Sequence, residues 1–418
     1  MPLSSLLTDF SEHLHSPQFR DQACHVDAGN AFSRRRKLPL PALVAVMLSG
    51  MRKSVQAELG EFFAHLQQQA QLVRQVSEQA FARARAKLAA TAIPALNDWL
   101  LARADSDGFV PRWHGLRLVA ADASTLRFGL RASHIPRAAS VDQIAFGLFL
   151  PGAEIMLAAS LHSVHESERQ MLFQHLDRLG TSDLLLMDRG YPCRWLPALL
   201  NLRGVPFCMR VEQPAERGGF ACVRQFLRSG LPEQIVTLPA PTQRDAIDYE
   251  CPATPQVVRL VRHVASTGNE RVLMTNLLDS TQFPASEFGD LYHQRWRIEE
   301  AFKRLKQRLN LEHVSGLSQL AVMQDFAAKV LCDNLQSLTV GAAAMIGPLP
   351  PTRRINRSFA HTVLKPLFPA LLLGTAAVGL LDAALHLIAG RTYLHRPGLS
   401  KTRKQLDKPH KSMANKPC

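Results

Sequence analysis

The sequence predicts an α/β protein in which a mixed five-stranded sheet is flanked by helical regions at both ends of the chain. Short apolar runs bounded by turn signals indicate strands between residues 108 and 211, whereas apolar residues recur at helical spacing on either side. The predicted order is three strands, a helix, a strand, a helix and a fifth strand. That order is typical of a ribonuclease-H-like sheet, in which ligands lie at the carboxyl ends of the central strands.

Changes in composition divide the 418 residues into six predicted segments. They are a helical DNA-binding domain at 1–107, the first part of the core at 108–211, a β-rich insertion at 212–287, the completion of the core at 288–346, a C-terminal helical region at 347–390 and a basic tail at 391–418. The insertion is rich in Pro, Gly and Thr, and three of its runs resemble strands: Ile235–Leu238, Val257–Val264 and Arg271–Leu278.

The charge of the chain points to a polyanionic partner. Lys and Arg outnumber Asp and Glu by 49 to 35, which gives a net charge of +14. The tail at 391–418 holds eight of these cations against one acid, Asp407. A solvated tail would have the same composition, but nucleic-acid binding explains the excess better.

A second basic feature lies in the helical region at 1–107. In the stretch SEQAFARARAKLA, Arg83, Arg85 and Lys87 are close together, while Phe81 and Leu88 would anchor the opposite face of a helix. Such a helix can lie against DNA, and an ordinary solvated face would look the same. We expect Arg83, Arg85 and Lys87 to bind DNA phosphates.

Cysteine use and hydropathy favour a cytoplasmic protein with no membrane partner. The seven cysteines are scattered, with no CxxC pair and no nearby His at metal-binding spacing, so reduced thiols are expected. The N-terminus lacks the basic start of a signal peptide. The apolar stretch Pro369–Ile388 contains Asp382 and His386, which favours a buried core helix over a membrane span.

The stretch Leu291–Leu309 is predicted to form one helix with two functional faces. At about 100° per residue, one narrow arc is apolar and must pack on a core: Leu291, Ile298, Phe302, Leu305 and Leu309. A second stripe is polar: Tyr292, Arg295, Glu299, Lys303 and Lys306. The remaining side is expected to be solvated: His293, Arg297, Glu300, Arg304 and Arg308. Glu299 therefore lies at the edge of the core.

The polar stripe has two interpretations. It is either a row of ion pairs within the helix, such as Arg295 with Glu299, or a site for a metal-bound phosphodiester. In the second case Glu299 would bind the cation, and the Tyr, Arg and Lys side chains would donate to phosphate oxygens. The helix alone does not decide between them.

Two further acids are predicted to lie beside Glu299. Asp122 ends the first strand, LRLVAAD, and Asp188 ends the fourth, DLLLMD; these strands are neighbours in the predicted sheet. Three carboxylates in one place either have raised pKa values or bind a cation. Oxygen ligands select Mg²⁺ or Mn²⁺, and two such ions can activate water and stabilise the leaving oxygen at a phosphodiester.

Four residues of the helix share the spacing of a known signature, Y-x2-R-x3-E-x6-K: Tyr292, Arg295, Glu299 and Lys306. The sequence thereby resembles the DDE transposases of insertion-sequence family four. DRGYP around Asp188 is similar to the second-aspartate motif of that family, and ADAST around Asp122 is similar to its first. MTNLL at 274–278 and SGLS at 315–318 are also similar, so the resemblance covers roughly residues 30–410.

The resemblance implies a bacterial enzyme that moves DNA. Asp122, Asp188 and Glu299 would be catalytic and would hold two Mg²⁺ or Mn²⁺ ions, cleaving double-stranded DNA at the inverted-repeat ends of the element. The freed 3′-hydroxyl would then attack target DNA. Phosphate-binding residues would be those of the stripe: Tyr292, Arg295, Lys303 and Lys306. Related enzymes act as homodimers on paired DNA ends.

One departure concerns base flipping. Some members of the family release the element through a DNA hairpin and stack a flipped base on a Trp in the β-insertion, but no Trp lies between 212 and 287 here. Phe220 or Phe226 is the alternative stacking surface. Two other functions compete with transposition: a non-catalytic DNA-binding repressor or remnant, and a metal-dependent structure-selective nuclease.

Overall fold

The computed structural model describes residues 3–29, 31–34, 36–128, 138–211, 219–264, 268, 270–347 and 349–395. The chain divides into two compact units. The α/β unit contains residues 110–124 and 144–302, and the helical unit contains residues 1–109, 125–143 and 303–418. The basic tail predicted at 391–418 lies outside the described residues from position 396 onward.

The sheet contains nine strands among the described residues. They are β1 (Arg112–Trp113), β2 (Leu116–Arg127), β3 (Asp142–Leu150), β4 (Ile155–His162), β5 (Asp183–Met187), β6 (Phe207–Val211), β7 (Glu233–Leu238), β8 (Gln256–Val264) and β9 (Glu270–Thr275). The order is β4-β3-β2-β5-β6-β9-β8-β7, with β1 pairing off this path to β2.

The sheet is larger than the five strands predicted. Strands β2 to β6 correspond to the predicted five, and β3 and β4 form the expected antiparallel hairpin. Within 212–287, strands β7 to β9 continue the same sheet, because β9 pairs antiparallel with β6. Sequence patterns found these three strands but not their partner, because pairing between distant segments leaves no local signal.

The centre of the sheet is the parallel pair of β2 and β5. Ala120 pairs with Leu186, so Asp122 and Asp188 each lie two residues beyond the same rung of the ladder. The prediction that these strands are neighbours is confirmed. The prediction that the first strand ends at Asp122 is wrong, because β2 continues to Arg127.

Short helices connect the strands of the α/β unit. They are α7 (Glu168–Phe173), α8 (Trp195–Leu202), α9 (Ala221–Ser229) and α10 (Gln243–Asp248), with a 3-10 turn at Leu176–Arg178. Helix α8 follows β5, as predicted, and its apolar side chains from Trp195 to Leu200 are buried. Ser167 caps the start of helix α7, because its hydroxyl accepts a hydrogen bond from the Gln170 amide at 3.3 Å.

The stretch predicted as one helix is divided by a 3-10 turn. Helix α11 (Phe288–His293) leads into the turn Gln294–Trp296, and α12 (Arg297–Arg308) follows. The apolar arc is confirmed, since each member is at most 3% exposed: Leu291, Ile298, Phe302, Leu305 and Leu309. A 3-10 turn advances about 120° per residue, so residues before and after it are rotated relative to an ideal helix. Arg295, inside the turn, is only 5% exposed.

Helices make up most of the described part of the second unit. They are α1 (Leu3–His15), α2 (Pro17–Ala23), α3 (Leu40–Leu48), α4 (Val55–Leu66), α5 (Glu78–Arg85), α6 (Ala92–Ser106), α13 (Gln319–Ile346), α14 (Arg357–Leu372) and α15 (Leu380–Ala389). A small ribbon of β10 (Arg353–Ile355) and β11 (Thr392–Leu394) completes it. Pro369–Ile388 spans two helices instead of one. No helix among the described residues has the length and apolarity needed to cross a membrane.

Helix α13 lies at the centre of the helical unit and pairs with buried arginines. Arg85 is 4% exposed and donates to Asp325 at 2.9 Å and to Gln324 at 3.0 Å. Arg304 donates to Asp333 at 2.7 Å, with its side chain 9% exposed. The expectation that Arg85 faces DNA is therefore wrong, and so is the expectation that Arg304 faces solvent. Both arginines pair with acids on α13, which the local sequence around each arginine does not reveal.

We predict that Arg85 stabilises the helical unit. Arg85→Ala leaves the buried Asp325 carboxylate without its paired guanidinium, which should lower the free energy of unfolding by about 3–5 kcal/mol. Arg83→Ala is the matched control, because Arg83 is exposed on the same helix and should change stability by less than about 0.5 kcal/mol. Urea denaturation measures both. Equal stability of the two variants would contradict the role assigned to Arg85.

Candidate active site

Asp188 is held by the turn that follows β5. Its Oδ1 atom accepts a hydrogen bond from the Gly190 amide at 2.8 Å, which closes the DRGYP turn at the edge of the sheet. A Cβ atom at position 190 would lie only 3.1 Å from Asp188 Oδ1. Glycine at this position therefore leaves the carboxylate room to bind a ligand.

Asp122 is surrounded by charge. Burial raises the pKa of its carboxyl from 3.8 to about 7. The positive charge of Arg295 opposes this rise, whereas the negative charges of Glu168 and Glu299 add to it. Asp122 and Glu299, which are far apart in sequence, therefore interact electrostatically in the folded protein.

Arg295 is the cation at this site. Its Nη2 atom donates to Glu299 Oε1 at 2.8 Å, and its side chain is only 6% exposed. Burial opposes the charged form, but Tyr292, Glu299 and Asp122 together raise the pKa of Arg295. Its Nε and Nη1 atoms are buried with no hydrogen-bond partner. The ion-pair interpretation of the stripe thus describes Arg295 and Glu299, and two buried donors of the guanidinium have no hydrogen-bond partner.

Glu168 is a fourth carboxylate that sequence reasoning missed. It is the first residue of α7 and lies near Asp188, whose negative charge is second to burial in raising the pKa of Glu168. The fully buried Tyr191 lies beside it. The serine before it, Ser167, was a readable helix start, but only the packing of α7 against the DRGYP turn brings Glu168 to the aspartates.

The other predicted phosphate-binding residues differ in their burial and in the unit to which they belong. Tyr292 is 3% exposed, and burial raises its pKa to about 12. Lys303 and Lys306 fall in the helical unit, where Lys303 is exposed and Lys306 Nζ donates to the Thr125 carbonyl at 2.6 Å. In that unit Arg83 and Lys87 are also exposed.

The candidate base-stacking residue Phe226 is unsuitable. Its ring is 0% exposed and lies against the Arg262 guanidinium, 5.3 Å from the ring centroid. Phe220 is partly exposed just before α9. A flipped base therefore cannot stack on Phe226 without disrupting the packing of this segment.

The donor set fits a hard divalent cation, although its present geometry is not that of a metal site. Among the described residues, no three His, Cys, Asp or Glu side chains form a group able to hold a metal ion. The carboxylates offer oxygen ligands only, which is the chemistry that Mg²⁺ and Mn²⁺ prefer. In this structure the positive charge of Arg295 partly neutralises Glu299 and Asp122, as a bound metal ion would.

Carboxylates grouped at the edge of a mixed sheet, beside a buried arginine, are typical of enzymes that cleave or join phosphodiesters. Comparison with known proteins identifies the class further: the chain belongs to the family described as the transposase DDE domain, whose sequence profile matches residues 113–335, more than half of the chain. The resemblance to DDE transposases is thereby confirmed.

Similarity to individual proteins agrees with the family assignment. The transposase InsG for insertion sequence element IS4 of Escherichia coli (strain K12) is 24% identical over 318 residues, which cover 73% of this chain and 70% of that protein. A cryo-EM structure of the piggyBac transposase synaptic complex with hairpin DNA aligns with a TM-score of 0.40 and 10% identity, over 96% of this chain and 85% of that chain.

We predict that Asp122→Asn stabilises the metal-free protein at neutral and alkaline pH. The pKa of Asp122 is raised from 3.8 to about 7, so the folded protein keeps a proton that the unfolded chain loses over this range. Wild-type stability therefore falls as pH rises from 3.8 to about 7, and the penalty persists above it. The variant avoids the penalty.

The stability difference should reach about 4 kcal/mol at about pH 8, because a shift of roughly three pKa units contributes about 1.4 kcal/mol per unit, and it should shrink toward about pH 4. Thermal unfolding in EDTA at a series of pH values measures it. A difference that does not change with pH would show that Asp122 is not held in a buried, negatively charged environment.

Proposed function

We propose that this protein is a DNA transposase that cleaves DNA at the ends of an insertion sequence and joins those ends to target DNA. The observation that carries the proposal is the interaction of Asp122 with Glu299 and Arg295, within a chain that belongs to the transposase DDE domain family. A DNA-binding remnant would not need these acids together at one edge of the sheet.

The sheet supports a ribonuclease-H-like catalytic core. In the order β4-β3-β2-β5-β6, the first strand of the core lies between the second and the fourth, and β2, β5 and β6 run parallel. The catalytic acids would follow the central pair, where ligands bind in open α/β sheets. Asp122 and Asp188 have this position.

Asp122, Asp188 and Glu299 would hold the metal ions, which supply Lewis-acid activation of water and of the leaving oxygen. In the first step, a water oxygen attacks the phosphorus at the end of the element, the bond to the 3′-oxygen breaks, and that oxygen takes a proton. In the second step, the oxygen of the 3′-hydroxyl would attack a target phosphorus, the bond from that phosphorus to the 3′-oxygen of the target strand would break, and the departing oxygen would take the proton that the attacking hydroxyl loses. The carboxylates orient these reacting groups.

Arg295 would bind a phosphate of the terminal nucleotide. Its Nε and Nη1 atoms lack partners, and a buried unpaired donor typically costs about 1–3 kcal/mol. A phosphate oxygen would satisfy them and would compete with Glu299 for the guanidinium. DNA binding would thereby release Glu299 for a metal. Tyr292, Lys303 and Lys306 are the further phosphate ligands that the family resemblance implies.

The helical unit would bind the DNA outside the active site. Arg83 and Lys87 are exposed on or just after α5, whereas Arg85 is excluded by its burial. The basic tail would add affinity without sequence preference. Two copies would assemble on paired inverted-repeat ends, as the resemblance implies. Incubation with Mg²⁺ and a labelled duplex that carries the inverted repeat tests the proposal: cleavage at the end of the repeat is expected, and no cleavage argues for a DNA-binding remnant.

We predict that Glu299→Gln abolishes cleavage and leaves DNA binding within about twofold of wild type. The amide keeps the shape of the side chain but cannot replace the charge of a metal ligand. Glu300→Gln is the matched control, because Glu300 is exposed at the next position of α12 and should keep wild-type activity. Cleavage by Glu299→Gln at a comparable rate would exclude Glu299 as a metal ligand.

We predict that the double variant Arg83→Ala, Lys87→Ala weakens binding to all duplexes alike. Each lost phosphate contact should reduce the slope of log K against log salt by about 0.9. Fluorescence anisotropy from about 50 to 200 mM salt measures the slope. Arg20→Ala serves as the control, because Arg20 is an exposed cation elsewhere that pairs with Asp21. An unchanged slope in the double variant would remove α5 from the DNA-binding surface.

A further inference from the structure

We propose that Glu168 is a fourth carboxylate ligand of the divalent metal site, acting beside Asp188 at the start of α7. The proposal rests on the function proposed above and extends its active site to a residue that the transposase signature does not contain. It depends on four features of the α/β unit: the anchoring of α7, the shared space of two carboxylates, the excess of negative charge and the unpartnered donors of Arg295.

The position of Glu168 is fixed by its neighbours. Arg169, the next residue, donates from Nε to the Gly190 carbonyl at 2.9 Å and from Nη2 to the Pro192 carbonyl at 3.2 Å. These bonds attach the first turn of α7 to the DRGYP turn that carries Asp188. The Arg169 side chain therefore fixes the start of α7, and with it Glu168, next to the turn that carries Asp188.

The two carboxylates of this edge share one small space. A Cβ atom built on Gly190 would lie 3.1 Å from Asp188 Oδ1 and 3.9 Å from Glu168 Oε2. A side chain at position 190 would fill the gap between them, and glycine leaves it open. Two acids directed at a common opening are an unfavourable arrangement unless a cation joins them.

The net negative charge of the site also favours a bound cation. Asp122, Asp188, Glu299 and Glu168 are four acids, and Arg295 balances at most one of them. The guanidinium interacts electrostatically with Glu168 as well as with Asp122. The Arg295 side chain is only 6% exposed, and its buried Nε and Nη1 atoms have no hydrogen-bond partner. Such unused donors indicate a site built to receive an anionic ligand together with its counter-ions.

A purely structural role for Glu168 is the main alternative. An acid in the first turn of a helix interacts favourably with the helix dipole. However, Ser167 already caps α7, and the Glu168 carboxylate is partly buried near Asp188. A dipole effect requires neither feature, because a solvent-exposed acid would serve equally well.

The test is the affinity of the full-length protein for Mn²⁺, measured by electron paramagnetic resonance of free Mn²⁺ with and without a duplex bearing the inverted repeat. Glu168→Gln should weaken Mn²⁺ binding at least about tenfold. Glu166→Gln, two residues earlier, should bind as wild type does, since the Glu166 carboxylate contacts His162 Nδ1 at 2.9 Å and the Ser163 amide at 3.1 Å. The Gln oxygen can accept from the Ser163 amide, and its NH2 group can donate to the imidazole nitrogen of His162. Unchanged affinity in Glu168→Gln would overturn the inference.

A second measurement uses the wild-type protein, so it does not depend on the folding of a variant. Fe²⁺ placed in the metal site, with ascorbate and peroxide, cleaves the backbone near its ligands. Cuts around Glu168 as well as around Asp122 and Asp188 are expected, and their absence around Glu168 alone would contradict the proposal. If wild type binds no Mn²⁺ even with DNA, the proposed metal-dependent function itself fails.

Discussion

Repulsion between like charges is the constraint on which this site depends. Strands β2 and β5 carry Asp122 and Asp188 to the same edge of the sheet, and α12 brings Glu299 to Asp122. Each carboxylate is held by backbone elements with their own hydrogen bonds and buried apolar faces. The stability of those elements offsets the unfavourable burial of charge, and a site assembled from loops alone would relax by moving the acids apart.

Arg295 reduces the repulsion between these carboxylates in the metal-free protein. Because the 3-10 turn Gln294–Trp296 interrupts the helix, Arg295 points into the protein and pairs with Glu299. The pairing is incomplete, since two of its donors have no partner. The same side chain can therefore serve as a counter-ion before DNA binds and as a phosphate ligand afterwards, and this exchange links metal binding to DNA binding in the proposed mechanism.

Charged side chains were harder to predict than apolar ones. The arc from Leu291 to Leu309 was predicted as buried and is buried, because helical periodicity reports directly on which side of a helix packs. Arg85 and Arg304 have the local pattern of surface residues, yet each pairs with an acid on α13. Glu168 was missed for a related reason, since nothing within the stretch HESERQ indicates that Asp188 lies beside it.

The amino-acid sequence was enough to predict the strands of the core, most of the helices, and the residue types of the candidate site. These properties follow from local periodicity and from the spacing of Tyr292, Arg295, Glu299 and Lys306, which are read along the chain. The folded structure was needed to show that β7 to β9 extend the sheet, that Arg295 is buried against Glu299, and that Glu168 lies near Asp188. The physical reason is that strand pairing and charge pairing act between segments far apart in sequence, where no periodicity connects one partner with the other.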